Sequence, residues 1–210
     1  AEKKLIGLRK EMFGGKQQKK GGQAKQLTYG NGVNRYYWHP DGKQILYSAD
    51  NNGDERPAYY LIATNGKSEQ VVLSHSHAYR AFGAFDAEGK RFSYASTERN
   101  GRDFDLYLYD FGTQKSRMIY QSEFGFYPAD WQPNSNQLLM TEVRGEDANN
   151  LYLLDSNTGS AKVLFKPEVS ADINSFSWKK DGNGFYFSSN LDSEMNKVMY
   201  HDVKNGKTNT

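Results

Sequence analysis

A motif that opens with an aromatic residue recurs four times along the chain at a nearly constant spacing. The copies read WHPDGKQILYS, FDAEGKRFSYA, WQPNSNQLLMT and WKKDGNGFYFS, and they begin at Trp38, Phe85, Trp131 and Trp178. The three intervals are 47, 46 and 47 residues. Internal repetition with a period of roughly 40–50 residues indicates an array of supersecondary units or a propeller. The repeat therefore limits the fold more than any other feature of this chain.

Four short segments with β-strand character follow one another in each repeat, and polar turns separate them. In the first repeat the segments are Arg35–Trp38, Gln44–Ala49, Ala58–Ala63 and Gln70–Leu73. In later repeats the third segments are 105–110, 150–155 and 197–202, and the fourth segments are 116–120 and 161–165. No segment shows the 3.6-residue period of a helix. This pattern predicts an all-β chain, a β-propeller with about four four-stranded blades. A β-sandwich would not explain the period.

The repeat also predicts the domain organisation. We expect a lead-in over residues 1–25 and then blades over residues 26–73, 74–120, 121–165 and 166–210. The last repeat stops at KNGKTNT before a fourth strand, whereas AKQLT (24–28) resembles a fourth strand without its first three. The chain is then a fragment of a larger propeller, or a small ring that the N-terminal strand closes. Because soluble proteins avoid exposed strand edges, an open stack would need a partner, such as a second copy.

Two kinds of repeat position are expected to be structural. The opening aromatic residues should pack between neighbouring blades. The tight first hairpin of a blade should be formed by Asp41, Gly42, Gly89, Asp181 and Gly182. Gly supplies the positive φ that such turns need, and Asp tolerates it. None of these positions is therefore a candidate for catalysis.

Composition narrows the class of function. No apolar run approaches the roughly 20 residues that cross a bilayer, and the chain has no cysteine. Residues 1–26 carry a net charge of +6, so the rest carries −4 of the overall +2. An acidic body argues against nucleic acid, which requires a basic surface. The start at Ala1 resembles an end left by a signal peptidase, which favours a periplasmic or secreted protein over a cytoplasmic one.

Histidines give no convincing metal motif. His75-Ser76-His77 brings two histidines together, but zinc sites use three or four ligands and no third His or Cys lies nearby in sequence. We expect a surface loop at this position, no metal site and no cofactor.

Charged residues concentrate in the loops that follow the second strands, and such loops share one face of a propeller. Mixed acidic and arginine side chains there could hold the charged end of a peptide. The candidate substrate-binding residues are Asp54, Glu55, Arg56, Glu98, Arg99, Arg102, Arg144 and Glu146. One competing interpretation is that these polar loops are only solvated and bind nothing. Another is a glycosidase, since such enzymes use paired carboxylates. Among the aromatic residues, those between Phe124 and Tyr127 lie near a connection between blades and could contact a ligand.

Three motifs of the first blade follow one another in a characteristic order. They are Gln26-Leu27-Thr28, Trp38-His39-Pro40-Asp41-Gly42-Lys43 and Gly53-Asp54-Glu55. Because its motifs occur in this order, the segment 24–210 resembles the N-terminal propeller of serine peptidases of the prolyl oligopeptidase family. The similar members are the bacterial dipeptidyl aminopeptidases and acylaminoacyl peptidases. The stretch ERNGRDFD (98–105) is the more discriminating part. The Trp38-His39-Pro40-Asp41-Gly42-Lys43 motif is also similar to TolB-like propellers, so it indicates fold more than function.

This resemblance implies a non-catalytic role for the chain. The peptidases carry a Ser-Asp-His triad in a C-terminal α/β-hydrolase domain, with the nucleophile in a G-x-S-x-G motif. The present sequence has no such motif. The resemblance implies that the propeller restricts access and contacts a short peptide, with a hydrolase domain as its partner. The alternatives are a stand-alone TolB-like module that binds a protein and, less well supported, a sugar-binding propeller.

Overall fold

The structure is a computed structural model that describes residues 24–30 and 32–209. The described residues form strands, turns and loops but no helix. Their strands make four antiparallel four-stranded sheets, and the strand order in each sheet follows the chain. The chain divides into two compact units, the first ending at Ser76 and the second beginning at His77. The all-β prediction is confirmed.

The first unit contains one sheet, called sheet I. Its strands are β1 (Arg35–Trp38), β2 (Gln44–Ala49), β3 (Ala58–Ala63) and β4 (Glu69–Leu73). These bounds match the predicted segments except that β4 begins one residue earlier.

The second unit contains three sheets. Sheet II comprises β5 (Arg80–Phe85), β6 (Arg91–Ser96), β7 (Asp105–Asp110) and β8 (Lys115–Tyr120). Sheet III comprises β9 (Phe126–Trp131), β10 (Gln137–Gly145), β11 (Ala148–Asp155) and β12 (Ala161–Phe165). Sheet IV comprises β13 (Ile173–Trp178), β14 (Gly184–Ser189), β15 (Lys197–Asp202) and β16 (Thr208–Asn209). Each sheet lies within one predicted blade, and the blade boundaries themselves stay predictions.

Corresponding residues of the second and third strands face each other in every sheet. The pairs are Tyr47 with Tyr60, Tyr94 with Tyr107, Met140 with Tyr152, and Phe187 with Met199. In sheets I and II the two tyrosine rings stack with centroids 5.1 and 5.4 Å apart. Such cross-strand pairs are the unit of sheet stabilisation. The sequence repeat is thus also a repeat of cross-strand contacts.

The predicted turn closes the first hairpin of a sheet. In sheet I the Asp41 carboxylate accepts hydrogen bonds from the two backbone N–H groups that follow the turn, at 2.7 and 3.2 Å. Gly42 adopts a φ of +67°, and Gly89 and Gly182 adopt +69°. Sheet III has no glycine in this turn, and Asn134 adopts a φ of +55° instead. Asparagine tolerates this left-handed conformation better than most residues with a side chain.

Apolar side chains fill the space between consecutive sheets of the second unit. Between sheets II and III the buried cluster comprises Leu106, Leu108, Ile119, Phe126, Trp131, Leu138, Met140 and Leu154. Between sheets III and IV it comprises Leu139, Leu151, Leu153, Ile173, Phe185, Phe187 and Met199. Successive side chains of a strand point to opposite faces, so Leu138 and Leu139 belong to different clusters. Sheet III is therefore buried on both faces.

Two of the repeated tryptophans, Trp131 and Trp178, connect consecutive sheets. Trp131 Nε1 donates a hydrogen bond to the carbonyl of Ala84 in sheet II at 3.2 Å. Trp178 Nε1 donates to the carbonyl of Asp130 in sheet III at 3.4 Å. Each indole N–H thus finds an acceptor on the preceding sheet while the ring fills the space between the sheets.

The far face of sheet IV is open among the described residues. Tyr186 is 46% exposed and Val198 is 71% exposed. The Tyr186 and Tyr200 rings lie 5.2 Å apart, and Lys179 Nζ lies 5.8 Å from the Tyr200 ring centre. Sheet IV therefore buries one apolar face, whereas sheet III buries two.

The prediction that the last repeat lacks a fourth strand is wrong. Strand β16 pairs with β15, and Thr208 lies opposite His201. Two polar residues carry no apolar alternation, so no strand signal marks this position.

The prediction of a lone outer strand over residues 24–28 is also wrong, because these residues form no strand. Leu27 instead packs on the face of sheet I against Ile45 and Ile62 and is 3% exposed. Lys25 Nζ donates to a carbonyl of the β3–β4 turn at 2.6 Å. The remainder of the predicted lead-in, residues 1–23, lies outside the described residues.

His201 is buried in sheet IV, with 4% of its surface exposed. The rings of Phe165 and Phe185 lie 4.8 and 5.3 Å from its imidazole. Burial lowers the pKa of His201 below its ordinary value, and the nearby Asp202 carboxylate only partly opposes this shift. The neutral imidazole is thus the form that the folded protein favours.

We expect the change Leu106→Ala to lower the free energy of unfolding by about 2–5 kcal/mol, because it removes a fully buried side chain and leaves a cavity. Urea denaturation followed by tryptophan fluorescence measures this loss. Val163→Ala is the control, since Val163 is 49% exposed and its truncation should cost less than about 0.5 kcal/mol. Equal losses for the two variants would contradict the assignment of this core.

We expect folding stability to fall as the pH drops below about 6.5, because the unfolded chain then binds a proton at His201 that the folded chain resists. Above that pH the contribution of His201 is fully present. Melting temperatures measured between pH 8 and pH 5 should decline less steeply in His201→Gln than in the unmodified protein. The same slope in both proteins would contradict this account.

Candidate functional site

Three segments of the second unit are joined into one surface, which we call the loop face. It comprises the β6–β7 loop (97–104), the β8–β9 connection (121–125) and the β10–β11 hairpin (143–148). The Phe104 N–H donates to the Phe124 carbonyl at 2.7 Å, and the Val143 N–H donates to the Gly125 carbonyl at 2.8 Å. The connection therefore lies between the other two segments and links sheet II to sheet III.

Arg99 anchors the loop face to the core. Its Nε and Nη2 atoms donate to the Asp105 carboxylate at 2.6 and 3.0 Å, and Nη2 also donates to the Ser122 carbonyl at 3.0 Å. Asp105 is fully buried and accepts a further bond from the Ser122 N–H at 2.8 Å. A two-point arginine–carboxylate contact fixes geometry as well as charge. Arg99, predicted to bind substrate, thus has a structural role in this arrangement.

Arg102 is held at the tip of the same loop. Its Nε donates to Asp103 Oδ1 at 2.7 Å, and the Asn100 side chain donates to Asp103 Oδ2 at 2.7 Å. Hydrogen bonds from Arg102 and Asn100 keep the pKa of Asp103 well below its usual range. Asp103 is buried, whereas the Arg102 side chain is 75% exposed. The loop therefore presents a guanidinium that is oriented but accessible.

Phe124 is the most unusual residue of the loop face. It is 62% exposed and has a φ of +113°, a conformation that costs free energy for any residue other than glycine. The Phe104 and Tyr127 rings pack 5.1 Å apart, and Val143 is 38% exposed. Backbone strain of this kind clusters at ligand-binding and switch sites. The sequence predicts that this segment lies near a connection between blades, and in the structure hydrogen bonds hold its backbone.

The other charged candidates of the second unit lie on the same face without forming one cluster. Glu98 is exposed, and its N–H is bonded to Ser96 Oγ at 3.2 Å. Arg144 and Glu146 are exposed on the β10–β11 hairpin. Within the described residues, no ion pair joins this hairpin to the β6–β7 loop.

The candidates of the first unit surround a histidine–carboxylate pair. His75 Nε2 lies 2.6 Å from Asp54 Oδ2, and this hydrogen bond lowers the pKa of Asp54. Asp54 Oδ1 accepts a bond from the Arg56 N–H at 3.1 Å. Glu55 is exposed, with a φ of +59°. The loop thus uses its central carboxylate to fix its own shape, and Glu55 projects from it.

A polar cluster in sheet III was not predicted from the sequence. Tyr152 donates through its hydroxyl to Glu142 Oε2 at 2.5 Å, and Asn150 Nδ2 donates to the same oxygen at 2.7 Å. Burial, together with Glu142, raises the pKa of Tyr152 to about 12. The signal was available, because the strand pairing places Glu142 opposite Asn150 and alternation puts Tyr152 on the same face.

A partly buried acid on β9 was not predicted from the sequence either. Burial raises the pKa of Asp130 to about 6, and Asp130 Oδ1 accepts a bond from the Trp131 N–H at 3.0 Å. Nothing in the sequence distinguishes this aspartate from the exposed ones.

Neither a metal site nor a membrane-spanning helix emerges from the part of the chain that the structure describes. Residues 24–30 and 32–209 contain no group of three or more His, Cys, Asp or Glu residues that could hold a metal ion. They also contain no helix of the length and apolarity that crossing a bilayer requires.

Comparison with known proteins gives structural likenesses only. No protein-family model matches the sequence, and no curated protein matches it. TolB from Acinetobacter baumannii matches 89% of this chain with a TM-score of 0.67 and 23% identity. An oligogalacturonate lyase in complex with manganese matches 88% with a TM-score of 0.68 and 15% identity. A structure from a study of two prolyl endopeptidases matches 87% with a TM-score of 0.68 and 17% identity.

The chain spans only part of each of these proteins. It covers 45% of the TolB chain, 55% of the lyase and 30% of the endopeptidase. All three identities are below 25%, so the likeness concerns the fold. The chain therefore has the fold of a β-propeller, as the sequence repeat predicted, and its blades resemble those of TolB and prolyl endopeptidase.

We expect Phe124→Gly to be more stable than Phe124→Ala by about 1 kcal/mol, because glycine adopts a φ of +113° without a steric penalty. Both variants lose the ring, so the difference isolates the backbone strain. Chemical denaturation of the two proteins measures it. Greater stability of the alanine variant would show that the strain is absent.

Proposed function

We propose that this chain is the propeller part of a serine peptidase of the prolyl oligopeptidase family. In this role it gates and positions short peptides for a catalytic α/β-hydrolase domain that the present sequence does not contain. The observation that carries the proposal is the combination of two features. A prolyl endopeptidase structure matches 87% of the chain. The ERNGRDFD stretch (98–105) resembles this family, and it forms most of the β6–β7 loop on the loop face.

The arrangement of the loop face supports a contact with peptides. Arg99 ties the loop to buried Asp105, which leaves the Arg102 guanidinium oriented and largely exposed. Strained Phe124 places an aromatic ring on the same surface. An oriented cation beside an exposed ring suits an extended peptide that offers carbonyl oxygens and apolar side chains. Glu98, Arg144 and Glu146 add charges of both signs around it.

We expect the full-length protein to hydrolyse chromogenic aminoacyl or dipeptidyl substrates and a serine-directed inhibitor to block this activity. The present chain alone should show no hydrolysis, because it lacks the G-x-S-x-G motif. In the full-length enzyme Arg102→Gln should raise KM about tenfold with little change in kcat, as expected for the loss of a binding contact. Arg117→Gln, an exposed change on β8, is the control.

Two results would overturn the proposal. The first is a full-length protein without a hydrolase domain, and the second is activity that survives replacement of the G-x-S-x-G serine. An unchanged KM in Arg102→Gln would reject the loop face as the contact surface while leaving the gating role intact.

A stand-alone TolB-like module that binds a protein partner is the alternative function. The match to TolB, at 23% identity, supports it. A full-length protein without a hydrolase domain, together with a specific partner recovered on the loop face, would favour this alternative. Either function is compatible with a periplasmic or secreted location, which we propose on the basis of the TolB-like blades.

A further inference from the structure

A cavity of about 430 Å³ lies in the first unit, between sheet I and the segment that precedes β1. One wall is the face of sheet I that carries Tyr47 and Tyr60, and Tyr29 lines the cavity from the preceding segment. Leu27 and Val33 of that segment pack on the same face of the sheet, which holds the two walls together. Cavities that bind small molecules measure roughly 300–1,000 Å³, so this one is large enough for a small organic ligand.

Tyrosine rings form an accessible aromatic surface in this cavity. Tyr60 is partly exposed, and its ring stacks on that of Tyr47 with the ring centres 5.1 Å apart. Tyr47 is only 6% exposed, so it supports Tyr60 rather than meeting a ligand, whereas Tyr29 is 84% exposed. The face of such a ring attracts cations, because the quadrupole of the ring is negative there.

Two carboxylates add negative charge to the lining. Glu69 is exposed and Asp50 is partly exposed. Tyr47 donates its hydroxyl to Glu69, and burial together with Glu69 raises the pKa of Tyr47 well above its ordinary value. The hydroxyl therefore stays protonated, and the negative charge stays on Glu69. The Asp50 carboxylate accepts from Asn34 Nδ2 and from the Gly53 N–H, both at 3.0 Å, so protein donors hold both acids in place.

Positive side chains do not offset these charges within the lining. Among the described residues that line the cavity, none is Lys or Arg. Lys25 of the same segment donates instead to the Asn65 carbonyl. His75 does line the cavity, but it lies 2.6 Å from the Asp54 carboxylate. Because Glu69 and Asp50 already accept hydrogen bonds from the protein, they attract a bound cation mainly through their charge, which suits a cation without N–H donors.

We propose that this cavity binds a small molecule with a trimethylammonium group. The methyl groups lie against the Tyr60 ring, and Tyr29 contacts them from the opposite wall. Glu69 and Asp50 supply the compensating charge. Aromatic rings recognise quaternary ammonium groups in this way, through cation–π attraction. The inference goes beyond the proposed function, because it concerns the first unit and requires neither the loop face nor a hydrolase domain.

The test uses the chain itself and four compounds that differ in charge or in hydrogen-bond donors. Choline carries the trimethylammonium group, and its neutral carbon analogue has a tert-butyl group in the same place. Ethanolamine has an ammonium group with N–H donors, and phosphocholine adds the phosphate of a lipid headgroup. Titrations followed by the backbone amide resonances of Gly32, Ala49 and Glu69 locate the binding as well as measure it.

We expect choline to bind about tenfold more tightly than each of the other three compounds. The neutral analogue loses the attraction to the rings and the carboxylates. Ethanolamine pays a larger cost of desolvation, because its N–H donors leave water for acceptors that are already engaged. The phosphate of phosphocholine is repelled by the two acids.

Variants of the lining complete the test. Glu69→Gln should weaken choline binding about tenfold and leave binding of the neutral analogue unchanged, because the amide retains an oxygen for the Tyr47 hydroxyl but loses the charge. Tyr60→Leu should weaken choline binding about tenfold, whereas Tyr60→Phe should retain it, since phenylalanine keeps the ring. Glu168→Gln is the matched control, because it removes a negative charge from an exposed residue of the second unit and should leave binding unchanged.

Four outcomes would overturn the proposal. Equal affinity for choline and its neutral analogue would mean that the cavity is only an apolar site. Binding of ethanolamine as tightly as choline would favour a primary amine, and tighter binding of phosphocholine would favour a lipid headgroup. No shift at the three resonances would reject the site.

Discussion

The structure depends on one constraint, which is that a sheet with two apolar faces must have both of them covered. Strand alternation in sheet III sends Leu138 toward sheet II and Leu139 toward sheet IV, so neither neighbour can be omitted without exposing a face to water. The repeated tryptophans strengthen this packing, because Trp131 and Trp178 each give their indole N–H to the preceding sheet. The regular spacing of the aromatic residue in the sequence follows from this demand.

Function in such a scaffold lies in the loops, and Arg99 is what connects the loops to the core. Its guanidinium contacts buried Asp105 and the Ser122 carbonyl, so a residue at the start of β7 fixes the connection that carries Phe124. Strain at Phe124 is sustained because the backbone on either side is held by β7 and β10. A loop face built in this way is preorganised, and a preorganised surface spends less of its binding free energy on ordering its own side chains.

Much of the fold could be predicted from the sequence, because it depends on local alternation and on a long repeat. The bounds of β2, β3, β7 and β15 match the predicted segments. Strand β16 was missed, since two polar residues carry no pattern. The segment around Leu27 was misassigned, because its apolar residue serves the face of sheet I and not its edge.

The candidate site was predicted less well, because the role of a charged residue depends on how far its own side chain is buried. Arg99 and Arg102 look alike in sequence and both contact buried carboxylates, yet the Arg99 side chain is 28% exposed and the Arg102 side chain 75%. The contact between Asn150 and Glu142 was not predicted either, although both residues belong to the β10–β11 hairpin. The register of a hairpin places two residues opposite each other, but it does not show that their side chains form a hydrogen bond.

The open face of sheet IV has a consequence for how the second unit fluctuates. Where each sheet contacts only its neighbours, stability is approximately a sum of sheet terms and interface terms. Sheet IV has one such interface in the second unit, and Tyr186 and Val198 already meet water. Opening sheet IV therefore costs less than opening sheet III, and its amide hydrogens exchange with solvent before those of sheet III. Sheet III, which is covered on both sides, is the last of the two to open.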